Sequence, residues 1–295
     1  MKRRLIPAAA ALCMLLSGCS MQTRHYDVRR DLSFYFSNAD SVIDTVRRAL
    51  REKCSSITIE YSSSGDNMSD ISAVVSEMMM FAMSETDDPC EGDYIYHQYG
   101  GYELNYSSTR NGETYSYTVT VIPQYFTDPA QEREVDARVT SVLSGAVHDG
   151  MSEAEKARAI YDLVCESVSY DRVHKNKPHY HLKSTAYGAL INGAASCQGY
   201  SVLMYRLLRE AGLDARIITG NAVRESGTSE YHAWNIVRIG DKYYNIDATW
   251  DDLTGTDTRF LKGESEFGRD HIRDPEYCTE EFLEKYPVSD EDFCL

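Results

Sequence analysis

The chain has 295 residues, 42% of them apolar, enough to bury the core of one large domain or two ordinary ones, which excludes a mostly disordered protein. Against 30 basic residues stand 46 acidic ones, a formal charge of −16. The charges are dispersed, as a solvated surface requires, and their sign argues against a nucleic-acid partner.

At the N-terminus Lys2, Arg3 and Arg4 precede an apolar run from Leu5 to Leu16, shorter than the roughly 18 residues a spanning helix needs. This is the pattern of a secretory signal. Leu16-Ser17-Gly18-Cys19 resembles the lipobox of bacterial lipoproteins, which implies cleavage after residue 18, lipidation of Cys19 and an extracytoplasmic, membrane-anchored protein. Loss of residues 1–18 removes three of the 30 basic residues, leaving 27 against 46 and a charge of −19. Of the eight cysteines, Cys13 leaves with the signal and Cys19 is the expected lipid carrier. Outside the cytoplasm disulfides are allowed, and Cys54 with Cys90 and Cys278 with Cys294 are neighbours in sequence, although spacing leaves the connectivity open.

Residues 19–30 are polar and aperiodic, as a tether would be. A small α+β domain is expected over 31–128. Ser41–Lys53 has helical spacing (Val42, Ile43, Val46, Leu50), Ser56–Tyr61 alternates like a strand, and Ile71–Met83 is again helical, with Met78, Met79, Met80 and Met83 as core. Two β-rich runs, Gly101–Arg110 and Glu113–Ile122, flank Asn111-Gly112, a dipeptide suited to a two-residue hairpin loop. Tyr94, Tyr96, Tyr99, Tyr102, Tyr106, Tyr115 and Tyr117 crowd this region and are expected to be half-buried strand residues. Residues 129–150 read as a connecting helix.

The second domain, 151–265, opens on the capping box Ser152-Glu153-Ala154-Glu155 and a helix to about Val168, on which Cys165 is expected to be an inert buried thiol. Ala194-Ala195-Ser196-Cys197-Gln198-Gly199-Tyr200 then leads into a helical stretch, Ser201–Ala211, stopped by Gly212. Cys197 therefore falls at a helix N-terminus, where unpaired N–H groups and the helix dipole favour the thiolate and can stabilise an oxyanion. Downstream, Gly240-Asp241 separates two strand-like runs. If those two residues form the loop, Ile239 faces Lys242, Trp234 faces Asp247, and His232 and Asp247 become diagonal neighbours on one face. A carboxylate reaching an imidazole fixes its tautomer and raises its basicity, which a histidine serving a cysteine nucleophile needs.

Ser-Cys-Gln-Gly-Tyr, Tyr-His-Ala-Trp-Asn-Ile-Val and Lys-Tyr-Tyr-Asn-Ile-Asp-Ala-Thr-Trp-Asp-Asp together resemble the bacterial transglutaminase-like superfamily, whose core is related to papain-like proteases. The resemblance covers about residues 150–265. It implies an α+β fold in which the cysteine-bearing helix packs on an antiparallel sheet, with Cys197 as nucleophile, His232 as general base and acid and Asp247 as the group that orients it. It further implies that Gln198, Trp234, Tyr244 and Trp250 line the site. Residues 266–295 are left as a C-terminal extension.

The expected activity is acyl transfer through a thioester, from a peptide bond or glutamine amide to water or an amine, on a peptide or protein at the cell surface. The alternatives are a binding or assembly module that keeps the fold, and a substrate-capture lipoprotein. His174, His179 and His181 are close in sequence and could bind zinc, but Lys175, Lys177 and Pro178 interleave them as in an exposed loop bordering the cleft. No acidic run has the ligand spacing of a calcium loop, and no cofactor or metal is expected.

Overall fold

The computed structural model describes residues 39–63, 71–224 and 226–294. The expected signal segment, lipidated Cys19 and tether lie outside the described residues. No described helix is long and apolar enough to cross a membrane. Two compact units are formed, one by 39–63, 71–84 and 99–125 and the other by 85–98 and 126–294. Residues 85–98 thus group with the second unit, although in sequence they sit inside the stretch 31–128.

In the first unit, α1 (Ala39–Arg51) and α2 (Ile71–Ala82) accompany β1 (Ile57–Ser63). Between α2 and the next strand of this unit the sequence passes through the short α3 (Asp93–Tyr96), which belongs to the second unit. β2 (Tyr99–Asn111) and β3 (Thr114–Tyr125) complete an antiparallel sheet of order β1-β3-β2. Ile57 faces Val121, Ile59 faces Val119 and Tyr61 faces Tyr117, so one side of the sheet is apolar and packs on Val74, Val75 and Met78 of α2. Met78, Met79 and Met83 are buried, as core methionines should be. Asn111 pairs with Thr114, so the hairpin loop is Gly112-Glu113, one residue later than expected. Only its first position needs a positive φ, which Gly112 supplies at 64°.

The second unit is built on α4 (Pro129–Ala146) and α5 (Glu153–Ser167), each opened by a complete capping box, from Asp128 and Ser152. The two-residue strands β4 (Ser169–Tyr170) and β5 (Ala194–Ala195) pair in parallel across α6 (Ala186–Leu190). The central helix α7 (Cys197–Glu210) lies on a four-stranded antiparallel sheet: β6 (Ala215–Val223), β7 (Ser229–Ile239), β8 (Lys242–Ile246) and, after α8 (Ala248–Thr254) and α9 (Glu264–Phe267), β9 (His271–Arg273). The order is β8-β7-β6-β9. Ile239 faces Lys242 across the Gly240-Asp241 loop, the register expected from the sequence.

Both faces of this sheet are covered. Ala215, Ile217, Val237, Ile239 and Ile246 face the core that contains α7. Ile218, Trp234, Ile236 and Tyr243 face a second core closed by Phe267, Tyr277, Phe282 and Tyr286, so the segment from 267 to 286 covers the outer face of the sheet. Arg216, 3% exposed at its side chain, binds the Asp93 carboxylate at 2.8 Å, and Asp93 also accepts the Ile217 N–H, which ties residues 85–98 to β6. Glu85 stands 3.5 Å from the same guanidinium. Burial and the neighbouring Asp93 carboxylate push Glu85 up to about 7, against the opposing pull of Arg216 and the Tyr205 hydroxyl.

Neither expected disulfide forms: Cys54, Cys278 and Cys294 are thiols. Cys54 and Cys90 belong to different units. Cys278 follows Tyr277 of the outer core, whereas Cys294 follows Phe293, which packs with Tyr244 on the α7 side of the sheet.

Candidate active site

Cys197 is the first residue of α7, reached from β5 through the extended Ser196. The Ser196 N–H donates to the Lys183 carbonyl at 2.7 Å, and a Cβ on Gly199 would come within 2.5 Å of that same oxygen. Glycine at 199 therefore lets the first helical turn press against the 3-10 turn His181–Ser184. Asn235 of β7 donates to the Ser201 carbonyl at 3.0 Å, fixing the helix against the strand that carries His232.

His232 is buried, and its Nε2 lies 2.7 Å from Asp247 Oδ2. With that nitrogen engaged, Nδ1 is the ring nitrogen left to serve Cys197. Burial pushes the Cys197 thiol up, but the hydrogen bond and charge of His232 and the Ala233 N–H pull it down further, so the balance lies below the ordinary thiol value. Burial alone would lower His232, yet the charge and hydrogen bond of Asp247, then Cys197, raise it above the usual imidazole range. Cys165 shows the contrast: burial and nearby carboxylates push its thiol up to about 12. One cysteine is held towards its thiolate, the other as an inert thiol.

Asp247 ends β8 and caps α8. Its Oδ1 accepts the Trp250 N–H at 3.0 Å, and its Oδ2 accepts from His232 and, at 3.1 Å, from His271 Nε2. Burial opposes ionisation of this carboxyl, but the two imidazoles outweigh it and hold it well below the usual carboxylate range. His271, fully enclosed on β9, places its Nδ1 2.6 Å from Asp270 Oδ1, and Asp270 in turn binds Arg259 through both oxygens at 3.1 and 2.6 Å. A continuous run of polar contacts thus links Arg259 through Asp270, His271 and Asp247 to His232. His271 was not among the expected site residues; it is 24 positions beyond Asp247, and the adjacent Asp270-His271 pair was the only hint of it.

The indole Nε1 of Trp234 donates to Asn245 Oδ1 at 3.1 Å, and the Trp234 ring lies 6.2 Å from that of His232. Trp250 stands edge-on to His232 at 6.0 Å. Gln198, beside the cysteine, is held by the His97 carbonyl. Tyr244 is a correction to the expected lining: it pairs with Val237 on the opposite face of the sheet and packs on Phe293. The histidines of the 171–181 segment do not converge. His174 binds Asp171 at 2.8 Å and stacks on Tyr180, while His181 stacks on Phe126.

Among the described residues the donor set able to hold a metal ion is instead His232, Asp247 and His271, whose ligand atoms lie within 4.8 Å of one another. The 2.7 Å separation of His232 Nε2 and Asp247 Oδ2 is that of a hydrogen bond, shorter than the about 3.3 Å edge of a tetrahedron of zinc ligands. The residues therefore fit a proton-linked network better than a metal centre.

The family model of the Transglutaminase-like superfamily matches residues 141–248. The mouse (Mus musculus) kyphoscoliosis peptidase is 27% identical over 150 residues, which are 47% of this chain and 22% of that protein, so the chain spans about a fifth of its relative's length. Among solved structures, a TGase has a TM-score of 0.33 at 20% identity, covering 50% of this chain and 44% of the other. A proposed cysteine protease from Cytophaga hutchinsonii has a TM-score of 0.33 at 16% identity, covering 51% and 65%. The segment that matches the family model contains Cys197, His232 and Asp247.

Proposed function

We propose that this protein is a secreted, lipid-anchored cysteine acyl-transfer enzyme acting on peptide or glutamine amide bonds at the cell surface. The transglutaminase-like domain supports a cysteine-based enzyme at the level of the family. One observation carries the finer reading: a thiol at the start of α7, drawn below its ordinary value by a histidine that Asp247 holds at 2.7 Å.

In this reading the Cys197 thiolate attacks the amide carbon, and the α7 N–H groups face the developing oxyanion. The His232 imidazolium protonates the departing nitrogen, the C–N bond breaks and a thioester remains. Water or an amine then attacks the thioester, giving its proton to His232, and the thiolate leaves. Asp247 keeps the imidazole ring oriented throughout. Hydrolysis and transamidation share every step up to the thioester, and access of water or amine decides between them.

Iodoacetamide labelling across pH, read at each cysteine by mass spectrometry, tests the chemistry. Cys197 should react fastest well below the free thiol value of about 8.5, and His232→Ala should move its profile up to that value. Labelling of Cys197 at the rate of an ordinary thiol would overturn the reading. The anchor is tested by Cys19→Ala, which should release the protein from the membrane fraction.

A further inference from the structure

The surface next to Cys197 is charged oppositely to the chain as a whole. An open cleft of about 390 Å³ is lined by Tyr170, Arg172, Lys175, Arg224, Glu230 and Leu253, three cations against one carboxylate in a chain of net charge −16. Glu230 is shared, 3.8 Å from Lys175 Nζ and 3.5 Å from Arg224 Nη2, and Arg172 makes no ion pair among the described residues. Two positive charges are therefore left over.

The cleft neighbours the candidate active site through two of its lining residues. Tyr170 pairs with Ala195, two residues before Cys197. The Arg224 guanidinium lies 5.9 Å from the Trp250 ring centroid, and that ring stands against His232. The loop bearing Arg172 and Lys175 is already held in place. Lys183 Nζ donates to the carbonyls of His174, Lys175 and Lys177 at 2.7, 3.3 and 3.0 Å, and the Asp171 carboxylate accepts the His174 N–H at 2.9 Å. A ligand would not have to order that backbone on binding. Guanidinium groups present paired N–H donors to a carboxylate, and the net field of an acidic protein would otherwise keep anions away.

We propose that this cleft binds an acidic peptide segment, so that the acyl donor carries aspartate or glutamate side chains beside the reacting amide. The inference rests on Cys197 being the nucleophile, and it names the substrate class of that site.

The test uses the full chain with Cys197→Ala, so that nothing turns over, and isothermal titration with acetyl-Glu-Gln-Glu-amide and acetyl-Gln-Gln-Gln-amide. The acidic peptide should bind about tenfold tighter, the sum of a few exposed ion pairs, and added sodium chloride should shrink the preference. The Arg172→Gln, Arg224→Gln double variant should abolish it. Equal affinities, no binding of the acidic peptide, or a preference that survives the double variant would overturn the proposal. Iodoacetamide labelling separates the two ideas. Fast Cys197 labelling without an acidic preference leaves the enzyme with another substrate, whereas the preference without fast labelling leaves an acidic-peptide site without cysteine chemistry.

Discussion

The two larger sheets of this protein are both antiparallel but are finished differently. In β3 buried and less buried residues alternate, and the open side carries paired hydroxyls, Thr58 with Thr120 and Ser62 with Ser116, each at 3.2 Å. In β7 every residue from His232 to Val237 is buried, because α7 covers one face and the C-terminal residues cover the other. A sheet wet on one side tolerates polar groups anywhere along that side. A sheet dry on both sides enforces pairing of any charge it holds, and His232, Asp247 and His271 sit where that pressure is greatest.

The sharpest way to break the comparison is Asp247→Ala. It removes the cap of α8 and leaves two buried imidazoles without their acceptor, so a loss of about 3–5 kcal/mol is expected in urea denaturation. A loss under about 1 kcal/mol would mean that water reaches the group. Phe267→Ala comes next. The ring is 1% exposed and lies 4.0 Å from that of His271, so its removal should cost about 3 kcal/mol and move the pH profile of Cys197 labelling upward. Destabilisation with an unchanged profile would separate the outer core from the site.

A third prediction concerns pH. Asp247 lies below its ordinary value, so its contribution to stability is lost as pH falls through the folded value. His232 lies above its own, so its contribution is complete below the ordinary imidazole value and is lost as pH rises through the folded value. Below the ordinary imidazole value of about 6.5 Glu85 supplies the slope, and above it His232, raised to about 10, adds to it. Between the ordinary carboxyl value and about 7 the folded chain keeps a proton that the unfolded chain releases, so stability should fall with rising pH across that window, by about 2 kcal/mol. Glu85→Gln should flatten the difference between denaturation curves taken at about pH 5 and about pH 6.5, the window below the one in which His232 contributes. Smallest of all is Thr120→Ala on the open side of the first sheet, expected within about 0.5 kcal/mol by the same assay.

The parts of the site that were legible in the sequence are those written locally. Glycines 212 and 240 end α7 and turn the β7–β8 hairpin, so the helix start at Cys197 and the approach of His232 to Asp247 follow from short-range rules. The same register already separates Tyr244 from His232, since Tyr244 pairs with the odd-numbered Val237; parity contradicted its expected place, whereas the aromatic resemblance favoured it. His271 was beyond reach for a different reason. Strand β9 has three residues and pairs with β6 across some fifty positions, too short for a pattern and too distant for a turn rule to place. Residues 85–98 escaped in the same way, because the Asp93–Arg216 pair that holds them spans 123 positions.

The position of β9 also sets an order of events during synthesis. A chain emerges from the ribosome N-terminus first, so Cys197, His232 and Asp247 are all made before the edge strand β9 that brings the second imidazole to Asp247. Until His271–Arg273 are released, the sheet edge at β6 is open and Asp247 lacks one of its two histidines. The nascent polypeptide therefore travels with an unfinished centre until β9 has been made and has docked on β6.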